Sequence, residues 1–330
     1  MRKVALITGI SGQDGSYLAE HLLKQDYKVY GIIRRQSVAE NQESRIDHII
    51  DHVNTRYGDL MDWCSLERIV RECNPTHIFN LGAMSHVRVS SDVPSFTIKT
   101  NAEGVLNLLE VYKNYCPSAR FYQASSSEMF GNSVDEDGFQ RETTQMNPVS
   151  PYSCAKVFAY NICRNYRNSY NMFISNGILF NHESPRRSSN FVTSKIIKGA
   201  IQIKAEKQEK LALGNLEARR DWGHAKDYVR AMWMMLQQDK PGDFVCSTGV
   251  SHSVRDVCEH VFKRLGMDYK DYVTIDERYF RPEELHDLKG DSSKAKTELG
   301  WEPQYTFEEL LDEMLEVGIQ EFGYDIKLED

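Results

Sequence analysis

The sequence predicts an α/β fold, a doubly wound parallel sheet with helices on both faces, accompanied by a smaller, mainly helical domain. Two observations carry this prediction. Through the first 180 residues, short apolar runs typical of buried strands alternate with amphipathic helical segments, which is the pattern of a parallel sheet. Beyond them the alternation is interrupted and helical segments dominate. We therefore expect one domain from residues 1–180 with 221–250, and a second from residues 181–220 with 251–330.

Composition narrows the functional classes. Of the 330 residues, 41% are hydrophobic and 27% are charged, which is ordinary for a globular enzyme. No apolar run is long enough for a membrane span or for the core of a signal peptide. The formal net charge of −8 offers no positive field for nucleic acid, although scattered arginine pairs suit small anions. We therefore expect a cytoplasmic protein with no nucleic-acid partner and no membrane partner.

The cysteines are seven in number and form no CxxC pair. An odd count without paired spacing predicts reduced thiols and argues against both a disulfide framework and a zinc cluster, so no metal site is expected. Cys154 is expected to be packed, because free cysteine is commonly buried.

The first strand and the loop after it predict a dinucleotide site. Residues 3–8 read as a short buried strand, and glycines at 9, 12 and 15 follow before an amphipathic helix that starts at Ser16. In this context glycines let the backbone approach a pyrophosphate, and the helix N-terminus supplies N–H groups and a positive dipole. The expected contacts in this loop are Gly9, Ser11, Gly12, Gln13, Asp14 and Gly15.

The second strand, residues 28–33, ends in Arg34 and Arg35. Roughly 20 residues past the last glycine is the place where an acid would bind the ribose hydroxyls of NAD, and where an arginine would take the 2′-phosphate of NADP. The sequence therefore predicts NADP, with both arginines as contacts. The polar segment 36–51 is long for a connection, which predicts a functional loop or a partner surface.

Two further strands end at residues placed for the cofactor. Residues 55–60 predict a strand with Asp59 near its end, positioned to meet an adenine amine, and residues 76–81 predict another that opens into small residues. The expected contacts after these strands are Asp59, Leu60, Leu81, Ala83 and Ser85. His86 could bind a ligand or make a structural hydrogen bond, and the sequence leaves both open.

The remaining elements continue the alternation and then leave it. A capping box at residues 100–103 predicts a helix that begins there, and strands at 120–124 and 174–180 flank a helix at 152–168. The polar segment 181–187 breaks the pattern. We expect later helices near 191–204, 225–236, 254–265, 292–299 and 306–322, the last with a capping box at 306–309, and a strand at 244–248.

Four side chains predict proton-handling chemistry. Tyr152 and Lys156 are one helical turn apart, and Ser126 and Glu128 follow the strand 120–124. A phenol with a pKa of about 10 is a poor base, but an adjacent ammonium and an oxidised nicotinamide favour its ionised form. Tyr152 could then take a hydroxyl proton while Ser126 hydrogen-bonds the same oxygen. Redox chemistry alone does not need Glu128, which can remove the proton alpha to a new ketone and protonate a departing hydroxyl.

Four stretches of the chain resemble the extended short-chain dehydrogenase/reductase superfamily, and within it the GDP-sugar 4,6-dehydratases. They are TGISGQDGSYL at residues 8–18, GIIRR at 31–35, FNHESPRRSSNFVT at 180–193 and LGNLEARRDWGHAKDYV at 213–229. The resemblance implies a hydro-lyase of deoxysugar biosynthesis. In such an enzyme bound NADP takes a hydride from C4 of GDP-mannose, Glu128 drives loss of water across C5 and C6, and the hydride returns to C6.

The resemblance also implies a division of labour between the two domains. The first would hold NADP, with further contacts from its own Tyr152 and Lys156 and from His182 and Arg187 of the second. The second would hold most of the GDP-sugar, with contacts from Asn181, Val192, Lys195, Gly214, Asn215, Arg220, Arg281 and Glu284, and the first would add Ser85, Ser126 and Glu128. A homo-oligomer, dimer or tetramer, is implied, in which the loop 35–45 reaches a neighbour's cofactor through Arg35, Ser37 and Arg45.

Three positions depart from the family pattern and leave the sugar open. Val149 and Ser194 stand where arginine is common, and Met84 replaces a frequent glutamine. GDP-manno-heptose, with one more carbon, is therefore an alternative substrate. A related epimerase or 4-reductase would share the Tyr-Lys pair but has little need for Glu128, and a non-catalytic NADP-binding scaffold is a third hypothesis.

Overall fold

The computed structural model describes residues 2–35, 44–280 and 283–329. Its strands, in chain order, are β1 Val4–Thr8, β2 Lys28–Ile33, β3 Val53–Tyr57, β4 His77–Asn80, β5 Arg120–Ser126, β6 Phe173–Leu179, β7 Asn181–Glu183, β8 Leu211–Leu213, β9 Arg219–Arg220, β10 Trp222–His224, β11 Asp243–Cys246, β12 His252–Ser253, β13 Val273–Ile275 and β14 Asp287–Leu288. Its α-helices are α1 Gln13–Lys24, α2 Trp63–Cys73, α3 Val87–Asp92, α4 Pro94–Ile98, α5 Gly104–Tyr115, α6 Pro151–Tyr170, α7 Val192–Lys204, α8 Ala225–Met235, α9 Val254–Arg264 and α10 Phe307–Phe322.

A parallel sheet organises the described part of the chain. Seven strands lie in the order β3-β2-β1-β4-β5-β6-β11, and every neighbouring pair is parallel. The chain order reverses between β1 and β4, which is the switch point where open α/β sheets bind ligands. Because parallel strands need crossover connections, the intervening helices cover the sheet.

Helices pack on both faces of this sheet. Along β1, Ala5 and Ile7 belong to the core beneath α1 and α8, whereas Leu6 belongs to the core beneath α2, α5 and α6. Successive strand residues point to opposite faces, so an apolar run such as that of β1 fills both cores at once. The doubly wound parallel sheet predicted from the sequence is confirmed.

A third apolar core lies among α7, α9 and α10. Ile197, Val261 and Leu315 are among its buried members. Small sheets accompany these helices: β7 pairs with β10, β8 with β13, and β9 lies between β12 and β14. This part is mainly helical, as predicted; the division of the whole chain into two domains remains a prediction.

Glu313 ties α10 to the beginning of α8. Its carboxylate lies 2.8 Å from Nε2 of His224 and 2.8 Å from Nζ of Lys226. His224 caps α8, because its Nδ1 accepts from the Lys226 N–H at 3.0 Å, so its proton is on Nε2 and points at Glu313. The hydrogen bond from His224, against the opposing effect of burial, lowers the pKa of Glu313 to about 2.

Three local predictions are corrected, and two helices were missed. Helix α1 starts at Gln13 rather than Ser16. Thr100 does not begin a helix: residues 94–115 are helical throughout, started by Pro94 at a first helical position, with a π-helical stretch at Lys99–Glu103. Helices α3 and α4 were not anticipated. Cys154 is exposed rather than packed.

The capping box at Thr306 and Glu309 is confirmed. No described helix combines the length and apolarity needed to cross a membrane.

Candidate active site

The carboxyl ends of six neighbouring strands bring most of the predicted site residues to one edge of the sheet. The loops after β1, β2, β3, β4, β5 and β6 carry them in turn. The residues placed at this edge are Gly9 to Gly15, Arg34, Arg35, Asp59, Leu60, Leu81, Ala83, Ser85, Ser126, Glu128, Asn181 and His182. Ser37 and Arg281 lie outside the described residues.

The glycine loop is shaped by close approaches of the backbone. Gly9 has φ +71°, and a Cβ there would come within 3.1 Å of the Gly82 backbone. Gly12 caps α1, and Gly15 lies inside the first turn, where a Cβ would stand 2.2 Å from the Gly9 carbonyl oxygen. Because no side chain fits at these points, the N–H groups of the first turn of α1 remain accessible to a ligand's phosphates.

Buried polar contacts fasten this loop to the segment that follows β6. Gln13 Nε2 donates to the His182 carbonyl oxygen at 3.0 Å, and its Oε1 accepts from Ser184 Oγ at 2.8 Å. Asp14 Oδ2 lies 2.8 Å from His182 Nε2, and His182 Nδ1 lies 2.8 Å from the Phe180 carbonyl oxygen. The side chains of these predicted cofactor residues therefore contact the segment after β6.

Helix α6 positions the Tyr-Lys pair. It begins with a reciprocal capping box between Ser150 and Ser153, with Pro151 in its first turn. Tyr152 and Lys156 follow one turn apart and are 9% and 5% exposed. Lys156 Nζ donates to the Ala124 carbonyl oxygen at 2.8 Å and lies 5.7 Å from the centre of the Tyr152 ring. The ammonium is thus held between strand β5 and the phenol.

Ser126 and Glu128 stand where β5 ends. Ser126 Oγ accepts from the Glu128 N–H at 3.3 Å and caps the 3₁₀ turn Ser127–Phe130. Since that contact uses a lone pair, the hydroxyl proton of Ser126 can still be donated. Glu128 is 6% exposed, and its charge acts on Tyr152. The structure therefore brings the hydroxyl, the carboxylate and the phenol to one place.

Burial sets the protonation of the Tyr-Lys pair. It raises the pKa of Tyr152 to about 12, although the hydrogen bond with Ser126 acts in the opposite direction. Burial also lowers the pKa of Lys156 to about 8, an effect that the negative charge of Asp14 opposes. At neutral pH the phenol is protonated and the ammonium is charged, so a further positive charge is needed to make Tyr152 a base.

The residues predicted for the adenosine half lie after β2, β3 and β4. Arg34 and Arg35 are exposed where β2 ends, and the Arg34 guanidinium lies 5.7 Å from the centre of the Phe96 ring. Asp59 Oδ1 accepts from the Met61 N–H at 2.9 Å. After β4, Thr8 Oγ1 accepts from the N–H groups of Leu81 and Gly82 at 3.0 and 2.9 Å, which draws this loop against the glycine loop.

The predicted substrate residues form two further groups. Lys195 Nζ donates to the Ala212 carbonyl oxygen at 2.7 Å and lies 3.4 Å above the Tyr279 ring, lining a groove of about 380 Å³. Gly214 is in the same place, because a Cβ there would meet the Tyr279 carbonyl oxygen at 3.1 Å. The guanidinium of Arg220, on β9, is buried and donates to the Leu285 carbonyl oxygen at 3.0 Å.

The other members of the set are placed around these groups. Asn181 opens β7 and pairs with Trp222, and Val192 is the first residue of α7. Asn215 follows β8, where its Oδ1 accepts from the Glu217 N–H at 2.9 Å. Glu284 directly precedes Leu285, whose carbonyl oxygen accepts the hydrogen bond from Arg220. The guanidinium of Arg187, which was predicted as a cofactor contact rather than a substrate contact, lies 3.5 Å from the centre of the Phe191 ring.

One residue that the sequence reasoning missed, and one contact that it did not anticipate, also shape the site. Asn132 donates to the Glu284 carbonyl oxygen at 3.1 Å and accepts from the His286 N–H at 3.1 Å, so it fixes the segment that carries Glu284. Arg45, expected to reach a neighbour, donates to the Ser11 carbonyl oxygen of its own chain at 3.3 Å. Neither contact has a local sequence signal, since both join residues far apart in the chain.

His86 makes structural hydrogen bonds. Its Nδ1 accepts from the Val89 N–H at 3.2 Å and caps α3, and its Nε2 lies 3.2 Å from the Asn190 carbonyl oxygen. Of the two alternatives left open by the sequence, these contacts favour the structural one.

The family model and the most similar curated proteins agree on one family. A family model described as GDP-mannose 4,6 dehydratase matches residues 6–314. The chain is 47% identical to the GDP-mannose 4,6 dehydratase of Cricetulus griseus, over 97% of this chain and 92% of that protein. It is 49% identical to GDP-mannose 4,6 dehydratase 2 of Arabidopsis thaliana, over 97% and 87% of the two chains. The Vibrio cholerae GDP-mannose 4,6-dehydratase is 48% identical, over 96% and 93%.

Solved structures share the fold at lower identity. UDP-glucose 4-epimerase from Thermotoga maritima, crystallised with UDP-glucose, superposes with a TM-score of 0.85 at 24% identity, over 97% of this chain and 99% of that one. The dTDP-glucose 4,6-dehydratase from Bacillus anthracis, in complex with NAD, gives 0.83 at 24% identity, over 97% of each chain.

Proposed function

The chain belongs to the GDP-mannose 4,6-dehydratase family, and from that premise we propose that it converts GDP-mannose to GDP-4-keto-6-deoxymannose and water. The observation that supports this most is the convergence of Ser126, Glu128 and Tyr152 where β5 ends, beside Lys156. A reductase or epimerase needs the hydroxyl, the phenol and the ammonium. A dehydratase also needs a carboxylate, and Glu128 supplies it.

Each of these side chains has a distinct task. Tyr152 takes the proton of the C4 hydroxyl, and Ser126 donates a hydrogen bond to the same oxygen as it becomes a carbonyl. A bound nicotinamide would supply the hydride transfer from C4 and back to C6, and the proton taken up by Tyr152 would balance the one that C5 regains. Glu128 removes the C5 proton, which the C4 ketone has made acidic, and as a carboxylic acid it protonates the departing C6 hydroxyl. Lys156 keeps its ammonium beside the phenol, which favours the phenolate.

The residues present fit a dinucleotide. The glycine loop leaves no room for side chains at Gly9 and Gly15, and α1 is long enough to present an N-terminal dipole. We propose NADP rather than NAD, because Arg34 and Arg35 end β2 where the ribose 2′-position would lie. The assignment of cofactor residues to the sheet domain and of GDP-sugar residues to the mainly helical domain is part of the same proposal.

GDP-manno-heptose remains the second candidate substrate, and the three departures Val149, Ser194 and Met84 favour it. Ser194 is buried and donates to the Arg187 carbonyl oxygen at 3.3 Å, so no long cation stands at this position. A smaller side chain there leaves more room beside α7.

The proposed activity is tested by incubating the purified protein with either GDP-sugar and following the loss of one water by mass spectrometry. No reductant is added. Loss of water from GDP-mannose supports the first candidate, loss only from GDP-manno-heptose replaces it by the second, and turnover of neither contradicts both. A cytoplasmic homo-oligomer, dimer or tetramer, is also part of the proposal and is tested by light scattering and by cell fractionation.

A further inference from the structure

Asp14 places a negative charge where the proposed ligand is also negative. It lies in the first turn of α1, at the helix N-terminus that would receive a pyrophosphate. A carboxylate in this position stabilises the helix through its dipole, but it repels an anion that binds at the same N–H groups. The charge of Asp14 must therefore be balanced for the site to work.

His182 is placed to balance that charge. Its Nε2 lies 2.8 Å from Asp14 Oδ2, and its Nδ1 lies 2.8 Å from the Phe180 carbonyl oxygen. A carbonyl only accepts, so Nδ1 carries a proton, and a second proton lies between Nε2 and the carboxylate. Whichever of the two atoms holds this second proton, the pair as a whole is neutral. Gln13 Nε2 adds a hydrogen bond to Asp14 Oδ1 at 3.1 Å.

The surroundings favour the ionised form of the pair. Burial alone would raise the pKa of Asp14, but the charge of His182, the hydrogen bond with it and smaller effects of Gln13 and Arg187 together outweigh burial, and the pKa is lowered. Burial alone would lower the pKa of His182, but the charge of Asp14 and the hydrogen bond to it raise it. Arg187 faces the pair from the loop before α7, and the Tyr228 ring of α8 stacks on His182 with centroids 4.5 Å apart.

The charge of Asp14 also reaches the catalytic helix. It acts on Tyr152, whose pKa it raises, and on Lys156, whose pKa it raises against the effect of burial. An uncompensated Asp14 would thus disfavour the phenolate as well as the ligand's phosphates. The charge balance of one pair of side chains therefore influences both the glycine loop and the Tyr-Lys pair.

We propose that His182 is a positioning residue that cancels the charge of Asp14, so that the glycine loop can receive a dinucleotide pyrophosphate while Asp14 still anchors the start of α1. This inference rests on the proposed function. It differs from a direct contact between the imidazole and the cofactor, because the side chain of His182 acts through Asp14.

The test compares His182→Gln, Asp14→Asn and the double variant in the full-length protein freed of nucleotide, with NADP titrated by calorimetry. His182→Gln leaves the carboxylate unbalanced and should weaken NADP binding by about tenfold or more. Asp14→Asn removes the repelling charge and keeps a hydrogen bond to a neutral imidazole, so its affinity should stay within about threefold of wild type or improve. The double variant should recover to within about threefold of wild type.

The outcomes separate a charge effect from a merely structural one. If the pair only fastens the loop, Asp14→Asn will weaken NADP as much as His182→Gln does, and the double variant will not recover; this result overturns the inference. If His182→Gln does not fold, Asp14→Asn decides alone, since a tenfold loss contradicts the inference and retained affinity supports it. A wild-type protein that binds neither NADP nor NAD contradicts the proposed function itself, and the inference with it.

Discussion

Lys156 lies with its ammonium nitrogen 5.7 Å from the centre of the Tyr152 ring, and a hydrogen bond to the Ala124 carbonyl oxygen holds it there. This hydrogen bond joins helix α6 to the end of strand β5. Because burial raises the pKa of Tyr152 to about 12, the ammonium of Lys156 favours the phenolate only in combination with the further positive charge of an oxidised nicotinamide. The predictions below follow from this arrangement and from the contacts around it.

Tyr152→Phe removes the proposed base and little else. We expect turnover of the GDP-sugar to fall by about 10²- to 10⁴-fold, the usual contribution of a positioned acid or base. Cofactor affinity and the midpoint of thermal unfolding should change little, since the ring stays in place. Steady-state kinetics with calorimetry checks this, and a variant within about threefold of wild-type turnover would mean that another group takes the proton.

Glu128→Gln separates dehydration from redox chemistry. The amide can neither remove the C5 proton nor protonate the departing hydroxyl, so formation of the dehydrated product should be lost while NADP binding persists. Transient absorbance of reduced cofactor on mixing with GDP-mannose should remain, because Ser126 and Tyr152 are intact. The assignment of Glu128 is wrong if this variant forms product at the wild-type rate.

Lys156 should make stability depend on pH in the alkaline range. Burial lowers its pKa from the ordinary lysine value of 10.5 to about 8, so between those values the unfolded chain binds more protons than the folded one. Stability contributed by this group is therefore full above the unfolded pKa and declines as pH falls toward about 8. Relative to Lys156→Met, the wild-type free energy of unfolding should rise by up to about 3 kcal/mol over that window. Equal slopes in urea-unfolding series would contradict the prediction.

Glu313→Gln should loosen the contact between α10 and the start of α8. The carboxylate receives hydrogen bonds from His224 and Lys226, and we expect the variant to lose about 1–3 kcal/mol of unfolding free energy at neutral pH. The pKa of Glu313 is lowered from 4.5 to about 2. The difference in unfolding free energy between wild type and variant should therefore be full above pH 4.5 and should shrink as the pH falls toward about 2. Glu316→Gln, an exposed change on the same helix, is the matched control and should have little effect.

Arg35→Ala tests the cofactor preference. If the guanidinium binds the 2′-phosphate, affinity for NADP should fall by about ten- to a hundredfold, as expected for loss of a charged hydrogen bond. Affinity for NAD, which lacks that phosphate, should be nearly unchanged. Parallel titrations with both dinucleotides give the answer, and equal losses for the two would remove the argument for NADP.

Much of the fold was predictable because its signals are local. The strand, glycine and helix sequence at residues 4–24 carries its own turn chemistry, and the capping box at Thr306 is complete within four residues. The same capping pattern wrongly predicted a helix start at Thr100, because Pro94 had already started a helix that continues through a π-helical stretch. A local cap pattern cannot reveal that the preceding residues are helical too.

The site was predictable in its members but not in their contacts. Tyr152 and Lys156 share a helix face, so their proximity follows from spacing alone. Asp14 and His182 are brought together only because the loops after β1 and β6 meet at the same edge of the sheet, and no local pattern records that pairing. The same holds for Asn132 with residue 284. Long-range contacts of this kind depend on the topology, which the sequence signals indicate only in outline.

The measurement that tests the account most directly uses GDP-mannose carrying deuterium at C4. The full-length protein with its bound cofactor is incubated with this substrate, without added NADP or reductant, and the product is examined by mass spectrometry and NMR. Internal hydride transfer predicts a product that has lost one water and carries the deuterium at C6. A dehydrated product without deuterium, or an oxidised sugar that accumulates as the bound cofactor stays reduced, would contradict it.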